Sequence, residues 1–257
     1  MPQAGLQDNP AFALYQIVWK TLDWLYPPVC GGCGKLGWRW CSECRAQVTQ
    51  LEEWQICRLC GNLLLGGDIC AQCQQQLPPY QALRSWGVFS GPLRKAIHRL
   101  KYGRDVGLGE ALAQPLLERL INLNWPINLI TAIPLNKNRL KQRGYNQAGL
   151  LARPLALGCK LPYTPRAIQR IKDTPTQVGL SAPQRQENVR GVFCAFPKLV
   201  MDRTVLLVDD VTTSGSTMRE CAHSLLEAGA AAVYGLTLAR PVLPAAQERP
   251  TEFPEYA

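Results

Sequence analysis

The apolar positions of this chain fall into two kinds of run. "INLITAIP" at 127–134 and "TVLLVDD" at 204–210 are nearly continuous, as strands covered on both faces must be. "RSWGVFSG" and "AAVYGLTLA" read as two further strands. Between them the period lengthens. "PLRKAIHRLKYG" puts Leu93, Ile97 and Leu100 on one stripe and Arg94, Lys95, His98, Arg99 and Lys101 elsewhere. Helical patterns also cover 111–123, with Pro115 as a kink or a later start, then about 145–157, then about 216–228, closed by Gly229. Strands alternating with helices predict an α/β fold, a mainly parallel sheet flanked by helices.

Outside that alternation lie two terminal segments. "AFALYQIVWKTLDWLYPP" reads as an amphipathic helix that packs on the body; Lys20 and Asp23 interrupt it and Pro27 and Pro28 end it. It is too interrupted for a membrane span and lacks the basic start and cleavage site of a signal peptide. The expected address is therefore cytoplasmic, with a membrane-surface helix as the alternative. The tail from Pro244, rich in Pro, Glu and Gln, is expected to be disordered or loosely docked.

Cysteine spacing changes this picture. Eight of the eleven cysteines form four CxxC pairs: Cys30/Cys33, Cys41/Cys44, Cys57/Cys60 and Cys70/Cys73. Two such pairs complete a tetrahedron of thiolates around one metal, so eight suggest two structural Zn²⁺ sites, with sequential rather than cross-braced pairing expected from the short intervals. An iron–sulfur cluster would suit the same thiolates. Disulfides would need an oxidising compartment, which nothing in the chain signals. Four-thiolate sites leave no open position for water, so these metals are expected to be structural. Cys159, Cys194 and Cys221 are expected to be buried apolar residues. His98 and His223 have no metal or triad spacing and are expected on the surface or packed between helices.

Charge is concentrated in the middle of the chain. Residues 81–200 hold nineteen Lys and Arg against five Asp and Glu, within a whole-chain net charge of +9. Such a field attracts phosphate-bearing partners, whether small molecules or nucleic acid; a solubilising surface would mix both signs.

One candidate site follows from "TVLLVDDVTTSGST" at 204–217. In a parallel sheet ligands bind beyond the carboxyl ends of strands, where Asp209 and Asp210 stand. The loop Thr212, Thr213, Ser214, Gly215, Ser216, Thr217 then enters a helix, whose amides, hydroxyls and dipole suit a phosphate. The two acids suit a pair of vicinal hydroxyls, directly or through metal-bound water. Together they suit a ribose 5-phosphate. The stretch lacks the Gly-Lys-Ser/Thr of a P-loop, and too little chain follows Asp210 for a receiver domain.

"VLLVDDVTTSGST" resembles the type I phosphoribosyltransferase signature, the site for 5-phosphoribosyl 1-pyrophosphate (PRPP). The whole chain resembles the ComF family of competence-associated proteins, which join a double zinc ribbon to a phosphoribosyltransferase-like domain. "LKYGRD" at 100–105, "IPLNKNRLKQRGYNQA" at 133–148 and parts of "RIKDTPTQVGLSAPQRQENVRGVF" at 170–193 extend the resemblance. It runs from Cys30 to about Pro241 and implies a double zinc ribbon over 30–80 and a phosphoribosyltransferase-like domain over 81–243, which leaves the amphipathic helix to 1–29 and the flexible tail to 244–257. It assigns Asp209 and Asp210 to the ribose hydroxyls, Thr212 to Thr217 to the 5-phosphate, and the segment after "AIP" to the pyrophosphate. Arg139, Lys141 and Arg143 in that segment suit a diphosphate, Gly144 lets the backbone turn, and Tyr145, Asn146 and Gln147 order the loop or cover the ribose. Arg170, Thr174, Gln177, Arg185 and Asn188 match other recurring positions, expected near the entrance. The resemblance further implies PRPP with Mg²⁺, single-stranded DNA and DNA-uptake proteins as partners, and a role in natural transformation. An active Mg²⁺-dependent phosphoribosyltransferase of unknown acceptor is the alternative. No general base and no hood for an incoming base are identifiable.

Overall fold

In the computed structural model, which describes residues 10–64, 66–172 and 191–242, the four apolar runs become one sheet. Helix α1 (Pro10–Leu25) is followed by the cysteine-rich segment with two short helices, α2 (Ser42–Ala46) and α3 (Ala71–Gln75). Then come β1 (Ala82–Val88), α4 (Gly91–Tyr102), α5 (Gly107–Leu123), β2 (Leu129–Ala132), α6 (Lys137–Arg143) and α7 (Gln147–Cys159). An antiparallel pair, β3 (Ile168–Arg170) and β4 (Phe193–Ala195), precedes α8 (Pro197–Val200), β5 (Thr204–Val211), α9 (Ser216–Glu227) and β6 (Ala232–Arg240).

The sheet order is β1-β6-β5-β2 and every pairing is parallel. Alternation along β5 divides the core. Leu206 and Val208 face a cluster with Leu93, Ile97, Leu112 and Leu151 from α4, α5 and α7. Val205 and Leu207 face the other side, with Met218, Cys221 and Leu225 of α9 and Phe193 of β4. Each such fully buried leucine contributes about 2 kcal/mol of apolar burial. Two expectations shift here. Helix α5 starts at Gly107, ahead of the expected 111, and Pro115 lies inside it. Cys194 is exposed rather than buried, because strand β4 turns Phe193 and Ala195 inward and Cys194 out.

The free edge of β1 is closed by the cysteine-rich segment. Val88 N–H donates to Thr49 O at 2.8 Å, and Leu83 N–H donates to Leu59 O at 2.8 Å. Covering an edge in this way satisfies backbone groups that would otherwise pair with another chain. Glu53 reinforces the contact by bridging Arg84 of β1 at 2.6 Å and Arg119 of α5 at 2.7 Å. Helix α1 docks through Phe12, which is buried, and through Trp19, whose ring lies 4.8 Å from the Arg39 guanidinium; Asp23 pairs with the same arginine. Its other face leaves Leu14, Ile17 and Trp24 exposed. Among the described residues no helix is long and apolar enough to cross a membrane.

Candidate functional site

Strands β2 and β5 are neighbours, so the segments that follow them open side by side at one edge of the sheet. Asp209 and Asp210 lie near the carboxyl end of β5. Asp209 Oδ1 accepts from the Asp210 N–H at 2.8 Å, and Asp210 Oδ1 accepts from the Val211 N–H at 2.8 Å. Asp210 is buried and its Oδ2 lies 2.9 Å from Lys101 Nζ at the end of α4. Burial disfavours the Lys101 ammonium, but Asp210 outweighs it and raises the lysine above its ordinary value. Asp209 is pushed from 3.8 up to about 8, by burial first and then by the charge of Asp210. A cation at this point would relieve both costs, and hydroxyl donors would relieve the first.

The sign of this shift gives a stability test. A carboxyl whose folded pKa is raised contributes stability that is fully present below about pH 4 and is lost as pH rises through about 8. Asp209→Asn should therefore stabilise the ligand-free protein at pH 8, by on the order of a few kcal/mol, and flatten its melting temperature between pH 5 and 8. Melts of both proteins across that range check it; parallel curves would place Asp209 in an ordinary solvated environment.

Gly215 then turns the chain with φ of 76°, a left-handed conformation that suits glycine. It opens α9 with no side-chain cap, and Ser214 Oγ lies 2.7 Å from Ser216 Oγ beside it. A phosphate at this point would act as the missing cap of a helix whose dipole favours it. Thr212 is buried, its N–H given to Ala239 O at 3.1 Å.

The segment after β2 is helical rather than an extended loop. Asn136 accepts from the amides of Asn138 and Arg139 and so starts α6, which Gly144 ends at φ of 84°. Arg139 and Lys141 are exposed on α6. Arg143 donates to Gln147 Oε1 and lies 5.3 Å from the ring of Tyr102, next in sequence to Lys101. Tyr145 Oη donates to Leu100 O at 2.6 Å, and Asn146 donates to Ile133 O at 2.9 Å while capping α7. These three residues order the segment and tie it to α4. Arg170 sits on β3 over the Phe193 ring, and Thr174, Gln177, Arg185 and Asn188 lie outside the described residues.

Lys101 was not expected here. Its charge suggested the solvated face of α4, yet position 101 is four residues beyond Ile97 and so falls on the apolar stripe. That spacing is the signal that would have found it.

The cysteines gather into Cys30, Cys33, Cys41, Cys44 and into Cys57, Cys60, Cys70, Cys73, with ligand atoms of each set within 4.8 Å of one another. The pairing is thus sequential, and all eight thiols are free of disulfides. Sulfur separations of 3.7 Å for Cys33 and Cys41 and 3.5 Å for Cys60 and Cys70 are close to the edge of a tetrahedron with Zn–S bonds of about 2.3 Å. Burial opposes ionisation of Cys30 and Cys57, but backbone N–H donors outweigh it and lower them to about 6 and about 7. Both clusters fit structural zinc. The second is set deeper, against Tyr80, Leu83 and Met218, and Arg219 of α9 donates to Cys73 Sγ at 3.9 Å and to Gln76 O at 3.5 Å.

A double zinc ribbon joined to a phosphoribosyltransferase-type fold is the class these features define. In agreement, the Double zinc ribbon domain family matches residues 21–74 and the Phosphoribosyl transferase domain family matches residues 140–254. The chain is 34% identical over 209 residues to the DNA utilization protein YhgH of Escherichia coli, covering 79% of this chain and 91% of that protein. It is 32% identical over 213 residues to Competence protein F of Haemophilus influenzae, covering 78% and 90%. Competence protein ComFC of Bacillus subtilis is 25% identical over 211 residues, covering 78% and 83%. The chain belongs to the ComF family of competence-associated proteins.

Proposed function

We propose that this protein is a cytoplasmic DNA-handling factor of DNA uptake and natural transformation whose sheet edge binds PRPP or a related ribose phosphate, and which engages single-stranded DNA. The observation that carries the ligand reading is the junction of two acids and an uncapped helix α9 at the end of β5, beside a basic segment after β2. Asp209 and Asp210 would hold the ribose hydroxyls, residues 212–217 the 5-phosphate, and Arg139, Lys141 and Arg143 the diphosphate. Mg²⁺ bound with the diphosphate would offset charge on the leaving group. The DNA reading is supported by the relatives' names and by the basic surplus in residues 81–200. Proteins of the uptake machinery are the partners it implies.

Ligand binding to the folded state alone raises stability by about 2.7 kcal/mol at a hundred times Kd. Mg²⁺-PRPP should therefore raise the melting temperature, and an unchanged melt at millimolar ligand would remove PRPP from the reading. The intact acid pair also favours a second reading, an active Mg²⁺-dependent phosphoribosyltransferase; pyrophosphate release from PRPP in the presence of a nucleobase, amine or nucleic-acid acceptor would establish it.

A further inference from the structure

We infer that the exposed face of α4 is the path of a single nucleic-acid strand leading to the ribose-phosphate site, with Tyr102 as a platform for a base. This rests on the nucleic-acid part of the function proposed above and adds where the strand lies. Arg94, Lys95, His98 and Tyr102 are all exposed on α4, which contains no acidic residue. Positions 94, 98 and 102 recur every fourth residue, so they share one face at steps of about 6 Å along the axis. The nearest acid past the helix end, Asp105, is already committed to Arg99 at 2.9 Å and Arg39 at 3.8 Å. The only acid of α2, which packs against α4, is Glu43, and it is paired with Lys35 at 2.6 Å, so the charges that α4 itself presents are of one sign.

Its aromatic content separates it from an ordinary solvated helix. Tyr102 is 66% exposed, and its ring contacts His98, with centroids 4.6 Å apart and planes tilted by 48°, and the guanidinium of Arg143 at 5.3 Å. At the other end Arg94 lies 6.0 Å from the ring of Phe89, the residue that follows β1. Guanidinium and aromatic groups alternating along a basic track are what unpaired bases stack on, whereas an acidic peptide needs only the charge. A duplex hides the faces of its bases, so the surface suits a single strand. The track also has a destination: Lys101, next to Tyr102, is bonded to Asp210, and Arg143 ends the segment assigned to the diphosphate. The strand would run toward the same sheet edge as the ribose-phosphate site.

Fluorescence anisotropy with a labelled oligothymidylate of about 20 nucleotides tests this on the full-length, zinc-loaded protein. Tyr102→Ala should weaken binding about tenfold with the salt dependence unchanged, and Tyr102→Phe should retain affinity. Arg94→Gln/Lys95→Gln should instead reduce the slope of log K against log salt by about 1.4. Wild-type affinity in Tyr102→Ala would overturn the path while leaving DNA binding intact, as would loss of binding in Trp38→Ala on the first cysteine cluster instead. Polyglutamate competing as well as the oligonucleotide would assign the surface to acidic protein. Absence of salt-dependent binding by the wild type would overturn the nucleic-acid reading itself, and Mg²⁺-PRPP melts would then report on the sheet-edge site separately.

Discussion

Replacing Cys57 with serine should cost the protein its fold around the sheet, a larger loss than the same change at Cys30. Structural zinc contributes folding free energy directly, on the order of 10 kcal/mol for an isolated ribbon. The two clusters are embedded differently. Cys30, Cys41 and Cys44 form a small core of their own with Trp40. Cys57, Cys60 and Cys73 share one core with Tyr80, Leu83, Met218 and Leu225, so the second metal organises the side of the sheet that carries α9. Arg219 links Cys73 to the first turn of α9, and Tyr80 Oη lies 3.7 Å from where a side chain at Gly215 would begin. Arg240, buried at the end of β6, donates to Asn62 Oδ1 at 2.7 Å within the same cluster's knuckle. Cys57→Ser should lower the melting temperature by more than about 10 °C and abolish the response to Mg²⁺-PRPP, whereas Cys30→Ser should retain part of that response. Zinc content and melts of the two variants decide it; equal losses would show that the clusters contribute alike.

The second large effect is expected at Lys101. Lys101→Met removes the partner of a buried carboxylate, and breaking a buried pair from one side costs about 3 to 5 kcal/mol. Lys101→Met/Asp210→Asn should recover much of the loss, because neither charge is then left alone. Denaturant melts of the single and double variants measure the coupling; additive losses would mean that the 2.9 Å contact contributes little in solution.

Much of this architecture was legible in the chain. Continuous apolar runs at 127–134 and 204–210 became neighbouring buried strands, and the short intervals between CxxC pairs became two sequential clusters. The acid pair and Gly215 fell at a strand end and a helix start, where the pattern of apolar and small residues put them. What escaped has local causes. Strands β3 and β4 have three residues each, too few for an alternation to register. Leu140 is the sole apolar residue of Lys137–Arg143, so α6 offers no period to read. Lys101 was read by its charge rather than by its place on the helix. Its partner, Asp210, is more than a hundred residues away, and that contact exists only because α4 and β5 meet across the sheet.

Calorimetric titration of Mg²⁺-PRPP into the wild-type protein and into Asp209→Asn/Asp210→Asn, with and without single-stranded DNA, bears most directly on the central claim. The account expects saturable one-site binding to the wild type and its loss in the double variant, whose fold is checked by its melt because Asp210→Asn leaves Lys101 without its carboxylate partner. Unchanged binding in the double variant would contradict it, and would remove the acid pair at the end of β5 from the site.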